Sequence, residues 1–196
     1  MPNNSQENLV GRSSEAGFSL IEVIIAIFIL TTALIGTAAA ITYALEFGAA
    51  SRNVGKAKLV VVSTIEEIET LRNARRLDFK QIANVGEVDN TDSKNAFNGF
   101  STGFKEISLN PGPDGVSGTD DDLKDAGADG IYGTPDDFDN PALVRSGYQR
   151  RITISYLPTD STIKKVEVNV KYFSSGGKVN EISGISYIND ESRRTG

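Results

Sequence analysis

The sequence contains no histidine and no cysteine. Without histidine it lacks the commonest general base and the commonest zinc ligand, and Ser–His or Cys–His nucleophile pairs are impossible. Without cysteine it can form neither a disulfide nor a thiolate. The sequence also has no G-x-x-x-x-G-K phosphate loop. These absences argue against an enzyme before any motif is considered.

Basic residues are in the minority, and the net charge of −6 gives no electrostatic basis for binding nucleic acid. The acidic excess is local. Residues 110–140 contain nine aspartates and one lysine, so this segment carries −8 while the rest of the chain carries +2. We term residues 110–140 the acidic loop, and its charge needs an explanation of its own.

Proline is absent from residue 3 to residue 110, which leaves room for a very long helix. After a polar leader, residues 1–17, the segment 18–45 has only one charge, Glu22. As a helix this segment would be roughly 42 Å long, enough to cross a hydrocarbon layer of ~30 Å. A polar leader before the apolar run is the reverse of a secretory signal. The segment therefore predicts a transmembrane helix.

Small residues recur at every fourth position along this helix, at Gly36, Ala40, Ala44 and Gly48. A stripe of small residues lets a second helix approach closely, so these positions predict helix packing. The alternative is that alanine and glycine are simply common in membrane helices.

Residues 46–77 predict an amphipathic continuation of the helix. Its apolar residues follow three-and-four spacing and form one face. They are Val54, Ala57, Val61, Ile65, Ile68 and Leu71. Residues 78–109 show few periodic signals, and we interpret them as a connection with one short strand near Phe104–Leu109.

The C-terminal part of the chain predicts strands. Apolar and polar residues alternate over Tyr148–Leu157 and Lys165–Tyr172, and a turn signal at 174–177 precedes a returning strand over 179–188. An antiparallel meander of this kind has one apolar face, which we term the dry face. Another element must pack on that face, and the amphipathic helix is the candidate. The prediction is an α+β fold, in which a long N-terminal helix packs on a C-terminal antiparallel sheet and residues 78–196 form a soluble head.

The stretch "GFSLIEVIIAIFIL", residues 17–30, places a carboxylate near the start of an apolar helix. A polar leader ending in glycine, then Phe-Ser-Leu-Ile-Glu-Val, then a membrane helix that continues as an amphipathic one, closely resembles the type IV prepilins. This family comprises the pilins of type IV pili and the pseudopilins of type II secretion. The resemblance is strong over residues 11–75 and implies a pilin-like fold, whereas beyond residue 75 only the general plan matches.

The resemblance assigns roles to three residues. It implies that prepilin peptidase cuts the Gly17–Phe18 bond, and that Phe18 becomes a methylated N-terminus. It also implies that Glu22 pairs with the terminal amine of a neighbouring subunit during assembly. Physical chemistry agrees, because an ammonium and a carboxylate are both costly in lipid and pairing relieves both. The alternative for Glu22 is a first-turn acid that the helix dipole favours.

Two features depart from the family pattern. Arg12 is the only basic residue of the leader, whereas Arg52, Lys56 and Lys58 follow the membrane segment. A positive-inside count would place the C-terminal domain in the cytoplasm, and the resemblance implies the opposite. The mid-membrane proline that major pilins often carry is missing, which implies a straighter helix.

The resemblance implies a structural subunit and not an enzyme. It looks most like a minor pilin or minor pseudopilin of a type IV pilus or a type II secretion pseudopilus. The implied partners are the peptidase, other pilin or pseudopilin subunits and an inner-membrane assembly platform. The implied location is the bacterial inner membrane, spanned once with the C-terminal domain outside the cytoplasm, and then a periplasmic or cell-surface fibre. The alternative is a calcium-dependent adhesin or binding module carried on a pilin-type anchor.

The acidic loop contains a repeat. "PDGVSGTDDDL" at 113–123 is matched by "ADGIYGTPDDF" at 128–138, an offset of 15 residues. The equivalent aspartates are Asp114 and Asp129, Asp121 and Asp136, and Asp122 and Asp137. Carboxylates held by glycine turns suit calcium, and major pseudopilins are known for a calcium site in a loop. We therefore predict calcium at these six aspartates; the alternative is a solvated acidic linker.

Overall fold

A computed structural model describes residues 19–91, 93, 95–174 and 177–190 of the chain. Contacts divide the chain into two compact units, Met1–Leu45 and Glu46–Gly196. Gly17 and Phe18 lie outside the described residues, so their roles in processing and methylation stay predictions.

One long helix, α1, extends over Leu20–Asn73 and confirms the predicted N-terminal helix. It ends four residues earlier than predicted, because the chain turns at Arg75, whose φ of 53° lies in the left-handed region. The Arg75 N–H donates to the Arg72 carbonyl at 2.9 Å, and the Arg76 N–H donates to the Leu71 carbonyl at 2.8 Å. These are the two hydrogen bonds of a Schellman motif. Glycine is the usual residue at this position of the turn. Because arginine occupies it here, the end of the helix could not be predicted from the sequence.

In the described part of the chain, six strands follow the helix. They are β1 (Lys105–Ser108), β2 (Lys124–Asp125), β3 (Phe138–Asp139), β4 (Val144–Leu157), β5 (Asp160–Phe173) and β6 (Val179–Asn189). Strands β1, β4, β5 and β6 form one antiparallel sheet in the order β1-β4-β5-β6, and β2 pairs with β3 in a separate ribbon. The α+β fold and the C-terminal meander are thus confirmed.

The register of the sheet produces the predicted dry face. Ile152 lies opposite Val168, and all three of Ile152, Val166 and Val168 are at most 1% exposed. Because β5 begins earlier than predicted, strand alternation also adds Lys164 to this face, where it is 2% exposed. Burial lowers the pKa of Lys164 to about 8. Its Nζ donates to two backbone carbonyls of the segment after α1, each at 2.8 Å, so the buried ammonium is hydrogen-bonded.

The amphipathic part of α1 covers this dry face, as predicted. Its buried residues are Ala57, Val60, Val61, Thr64, Ile68 and Leu71. The closest approach is at Gly184 of β6, where an added Cβ would lie 2.4 Å from Val61 Cγ1 and 3.3 Å from Ile65 Cδ1. Glycine at 184 therefore permits the helix to reach the strand.

The segment that we interpreted as a connection contributes to the core. Phe97 and Phe100 are 3% and 0% exposed, and their rings meet edge to face with centroids 5.2 Å apart. Asn84 takes the place of a strand at the edge of β4, because its side chain accepts from the Ile154 N–H and donates to the Ile154 carbonyl, both at 2.8 Å. The side-chain amide of Asn84 thus replaces the backbone hydrogen bonds of a neighbouring strand, and such a contact leaves no periodicity in the sequence.

Replacing Gly184 by alanine should destabilise the head by about 1–3 kcal/mol, the usual cost of overpacking a core. Gly103→Ala is the matched control, because an added Cβ at Gly103 has nothing within 4 Å. Urea unfolding of a soluble fragment that begins at Ser51 measures both variants. Val61→Ala should restore part of the stability lost in G184A, since the two residues share one contact. Equal stability of G184A and G103A would contradict the close approach.

Candidate functional site

The N-terminal unit presents an apolar helix with a single charge. Glu22 lies in the first turn of α1, and its side chain is exposed. The hydroxyls of Thr31, Thr32, Thr37 and Thr42 donate to backbone carbonyls three or four residues earlier, at 2.8–3.1 Å. Such internal bonds satisfy hydroxyl groups in a bilayer. The Glu22 carboxylate is then the one charge that this segment would have to hold in lipid.

Among the described residues, α1 is the one helix long and apolar enough to cross a membrane. Three members of the small-residue stripe, Gly36, Ala40 and Ala44, are exposed, and Gly48 is half-buried. An added Cβ at Gly36 would meet nothing within 4 Å. These positions are open to a lipid chain or to another helix, and their packing role stays a prediction.

The two repeats of the acidic loop have the same internal hydrogen bonds. We term residues 110–123 the first repeat and residues 125–138 the second. In each, an aspartate accepts from the N–H two residues later at 2.8 Å, and a threonine hydroxyl donates to the carbonyl three residues earlier at 3.0–3.1 Å. The last aspartate accepts from the glycine N–H four residues earlier at 2.7–2.8 Å. The residues in these three roles are Asp114 and Asp129, Thr119 and Thr134, and Asp122 and Asp137.

The structure extends the repeat to positions that we did not recognise in the sequence. Asn110 and Asp125 each accept, at 3.2 Å, from the N–H two residues later, which belongs to Gly112 or Gly127. Both glycines have left-handed φ values, 70° and 64°. An added Cβ would lie 2.4 Å from an aspartate carbonyl oxygen in the first repeat and 2.6 Å from one in the second. An N/D-x-G pattern at the same offset is the signal that could have identified them.

The first repeat is anchored in the core of the head. Val116 is 3% exposed and belongs to the core cluster. Asp122 Oδ2 lies 3.2 Å from Arg150 Nη2, and both side chains are 7% exposed. Arg150 Nη1 in turn donates to Thr64 Oγ1 at 3.1 Å. A buried ion pair thus connects the acidic loop to β4 and to α1. Strand alternation places Arg150 on the face of Ile152 and Ile154, but its partner lies 28 residues away in the sequence, so the pair could not be predicted.

Burial shifts the pKa values of the charged groups of the first repeat and of Arg150. It raises the pKa of Asp122 and lowers the pKa of Arg150, while the attraction between them opposes both shifts. Burial also raises the pKa of Asp114 to about 6, and the nearby carboxylates of Asp121 and Asp122 add to this effect. Arg150 is therefore the compensating charge for the buried carboxylate of Asp122.

The second repeat exposes its apolar side chains, whereas those of the first repeat are buried or half-buried. Ile131, the equivalent of Val116, is 61% exposed, and Phe138 is 51% exposed. Asp137, the equivalent of Asp122, keeps its bond to the Gly133 N–H. Its Oδ1 is shielded from solvent and has no hydrogen-bond partner among the described residues. The second repeat thus has the fold of the first without a counterpart of Arg150 in the part of the chain that the structure describes.

Within the described ranges, no three acidic side chains converge as a metal site requires. The six aspartates predicted as calcium ligands accept hydrogen bonds from backbone N–H groups and threonine hydroxyls of their own repeat. The calcium prediction is neither confirmed nor contradicted by this arrangement, and it stays a prediction.

Residues 12–38 match the family model of the prokaryotic N-terminal methylation motif, which is the leader signature of type IV prepilins. No curated protein and no solved structure matches the chain. The matched segment contains Gly17, Phe18 and Glu22. It supports a type IV pilin-like or pseudopilin-like precursor, a structural subunit with a single-pass membrane anchor. A motif of this kind implies processing by prepilin peptidase and assembly with other pilins.

The two equivalent aspartates should differ sharply on substitution. Asp122→Asn leaves Arg150 buried without its counter-charge and should destabilise the head by about 3 kcal/mol or more. Asp137→Asn removes no ion pair among the described residues and should change stability by less than about 0.5 kcal/mol. Urea unfolding of the Ser51 fragment in chelator measures both. Similar losses in D122N and D137N would contradict the asymmetry between the repeats.

Proposed function

We propose that the chain is a minor pilin or minor pseudopilin, a non-catalytic subunit of a type IV pilus or a type II secretion pseudopilus. The observation that carries the proposal is the methylation motif at residues 12–38, which leads into the single long helix α1. The exposed apolar part of this helix holds only one carboxylate, Glu22. The minor class is favoured by the acidic stretch "STIEEIETLRN" that follows the membrane segment.

In this proposal each part of the N-terminal segment has a task. Prepilin peptidase cuts between Gly17 and Phe18, and the new terminus is methylated. The Glu22 carboxylate forms an ion pair with the terminal ammonium of a neighbouring subunit. The stripe of small residues from Gly36 to Gly48 packs against neighbouring helices. The head lies outside the cytoplasm, at first beside the inner membrane and the assembly platform and then in the fibre.

A second candidate is a calcium-dependent adhesin or binding module on a pilin-type anchor. The observation that favours it is the exposure of apolar side chains along the edge strand β6. Ile185 is 49% exposed and Tyr187 is 61% exposed. An adhesin of this kind would need its head but would not need Glu22 for fibre assembly, so the next experiment separates the two candidates.

Glu22→Ala should leave membrane insertion intact and abolish incorporation into fibres. Removing the charge lowers the cost of residing in lipid, but it also removes the partner of a neighbour's ammonium. Glu46→Ala is the matched control, because Glu46 lies on the same helix beyond the apolar segment. Membrane and fibre fractions are compared by immunoblot. Incorporation of E22A at the wild-type level would contradict the pairing role.

We also propose that the acidic loop binds calcium through Asp114, Asp121, Asp122, Asp129, Asp136 and Asp137. The Oδ1 of Asp137, which has no hydrogen-bond partner among the described residues, supports a cation in the second repeat. A ligand at a hundredfold excess over its Kd stabilises a fold by about 2.7 kcal/mol.

The Ser51 fragment should therefore melt several degrees higher in calcium than in chelator, and magnesium should do less because it gives up its water reluctantly. Asp137→Asn should reduce the shift. Asp120→Asn, an exposed aspartate outside the six, is the control for loss of charge. Identical melting curves in calcium and chelator would contradict the calcium proposal and would indicate that the loop is a solvated acidic linker.

A further inference from the structure

The C-terminal unit, Glu46–Gly196, begins with basic residues. Arg52, Lys56 and Lys58 are all exposed, and none of them forms an ion pair with a described residue. A positive-inside count would place these residues in the cytoplasm, whereas the prepilin signature implies that the head lies outside it. Their charge therefore calls for a role other than setting the topology.

The guanidinium of Arg52 reaches back along α1 by one turn. An added Cβ at Gly48 would lie 3.8 Å from Arg52 Nη1. Gly48 follows Leu45, the last residue of the apolar segment, by three residues, which is a rise of about 4.5 Å along a helix. The headgroup layer extends about 5–7 Å beyond each side of the hydrocarbon. Long basic side chains commonly direct their charge into this layer, and the Arg52 guanidinium lies at its depth.

A second element of the C-terminal unit brings another cation to this level. Asn53 Nδ2 donates to the Phe173 carbonyl at 3.2 Å, so the end of β5 lies beside Asn53. The chain then turns, and the Ser174 N–H donates to the Lys178 carbonyl at 2.8 Å. Lys178 is exposed. The turn between β5 and β6 thus carries an exposed ammonium close to the helix turn that carries Arg52.

The direction of β6 shows which end of the sheet this turn occupies. Val61 packs against Gly184 in the middle of β6, and Arg72 donates to the Asn189 carbonyl at the end of β6 at 2.7 Å. Residues further along α1 therefore contact residues further along β6. The turn that precedes β6 lies beside the first residues of the C-terminal unit.

The acidic residues closest to these cations in the sequence do not neutralise them. Glu46 is the only acidic residue between positions 23 and 65, and six residues of helix place it about 120° around the axis from Arg52. Glu181 follows Lys178 on β6, and its Oε1 lies 3.6 Å from Arg151 Nη2. The cations at this end of the unit are therefore available to an anion from outside the chain.

We infer that Arg52, Lys56 and Lys178 bind the phosphate groups of anionic phospholipids in the membrane that α1 crosses. The inference rests on the anchor role of α1 in the proposed function. Attachment identifies the ligand, because only eight residues of helix, a rise of about 12 Å, separate Leu45 from Asn53. Three cations held this close to a bilayer are complementary to its anionic headgroups. The alternative occupant is a neighbouring subunit, and the experiment separates it from lipid.

The test is the quenching of a fluorophore on the full chain in vesicles. Because the chain has no cysteine, a cysteine introduced as Ser174→Cys carries the only label. Thr159→Cys is the control position, because it lies between β4 and β5, at the other end of β5. The vesicles contain phosphatidylcholine with or without phosphatidylglycerol, and a quencher is attached to headgroups of both leaflets. Chelator is present throughout, so calcium cannot connect the acidic loop to lipid.

We expect strong quenching at S174C in vesicles with phosphatidylglycerol and little at T159C. Salt should weaken it, because it screens charges at a surface. Arg52→Gln and Lys178→Gln should each lower the ratio of lipid-bound to free units about fivefold. Arg75→Gln removes the same charge just beyond the other end of α1 and should leave the ratio unchanged.

Other results would overturn the inference. These are equal quenching with and without phosphatidylglycerol, equal effects of R52Q and R75Q, or quenching at T159C as strong as at S174C. Quenching that depends on the density of protein in the vesicles would assign the surface to a neighbouring subunit instead. Flotation of the vesicles at high salt tests the anchor separately. A chain that leaves the vesicles would contradict both the anchor and the inference, whereas a chain that stays without quenching at S174C would contradict the inference alone.

Discussion

The packing of the buried face of α1 on the dry face of β4, β5 and β6 is the contact on which the head depends. The meander alone would expose a row of valines and isoleucines, and the amphipathic helix alone would expose its own apolar face. Each covers the other, with Val61 set against the bare backbone of Gly184. This contact fixes Thr64 beside the sheet, where it meets Arg150. The anchor of the acidic loop therefore depends on it too.

The two repeats of the acidic loop have the same internal hydrogen bonds but different surroundings. Both repeats are held by their own aspartates, glycines and threonines, so neither needs the core in order to turn. The first adds Val116 and Asp122 as anchors and becomes part of the head. The second leaves Ile131 exposed and Asp137 half-buried, without a counterpart of Arg150 in the described part of the chain. The duplicated turn is thus anchored in the core in its first copy and leaves its apolar side chains exposed in its second.

Several features of the fold could be predicted from the sequence because they depend on periodicity. The long helix, the alternation of Val166, Val168 and Val170, and the returning strand all leave a regular pattern. The end of α1 could not be predicted, because arginine occupies the left-handed position. Strand alternation places Lys164 and Arg150 on the dry face, and both are buried there because distant carbonyls and a distant carboxylate satisfy them. These distant partners could not be predicted from the sequence.

Some features of the candidate site could likewise be predicted from the sequence, and others could not. Glu22 is evident in the sequence because it is alone in an apolar run, and the repeat is evident from its spacing. The unequal burial of the two repeats is not evident, because repeats with the same aspartates, glycines and threonine meet different surroundings. The first repeat meets Arg150 and the apolar core, and those contacts are a property of the tertiary fold.

The N-terminus of the mature chain tests the central claim of a prepilin-type subunit most directly. The full chain is isolated from membranes of its native host and its intact mass is measured, with and without the prepilin peptidase. The account predicts a chain that starts at methylated Phe18, and a full-length chain when the peptidase is absent or Gly17 is replaced by a bulky residue. A mature chain that starts elsewhere, or that keeps residues 1–17 in the presence of the peptidase, would contradict the account.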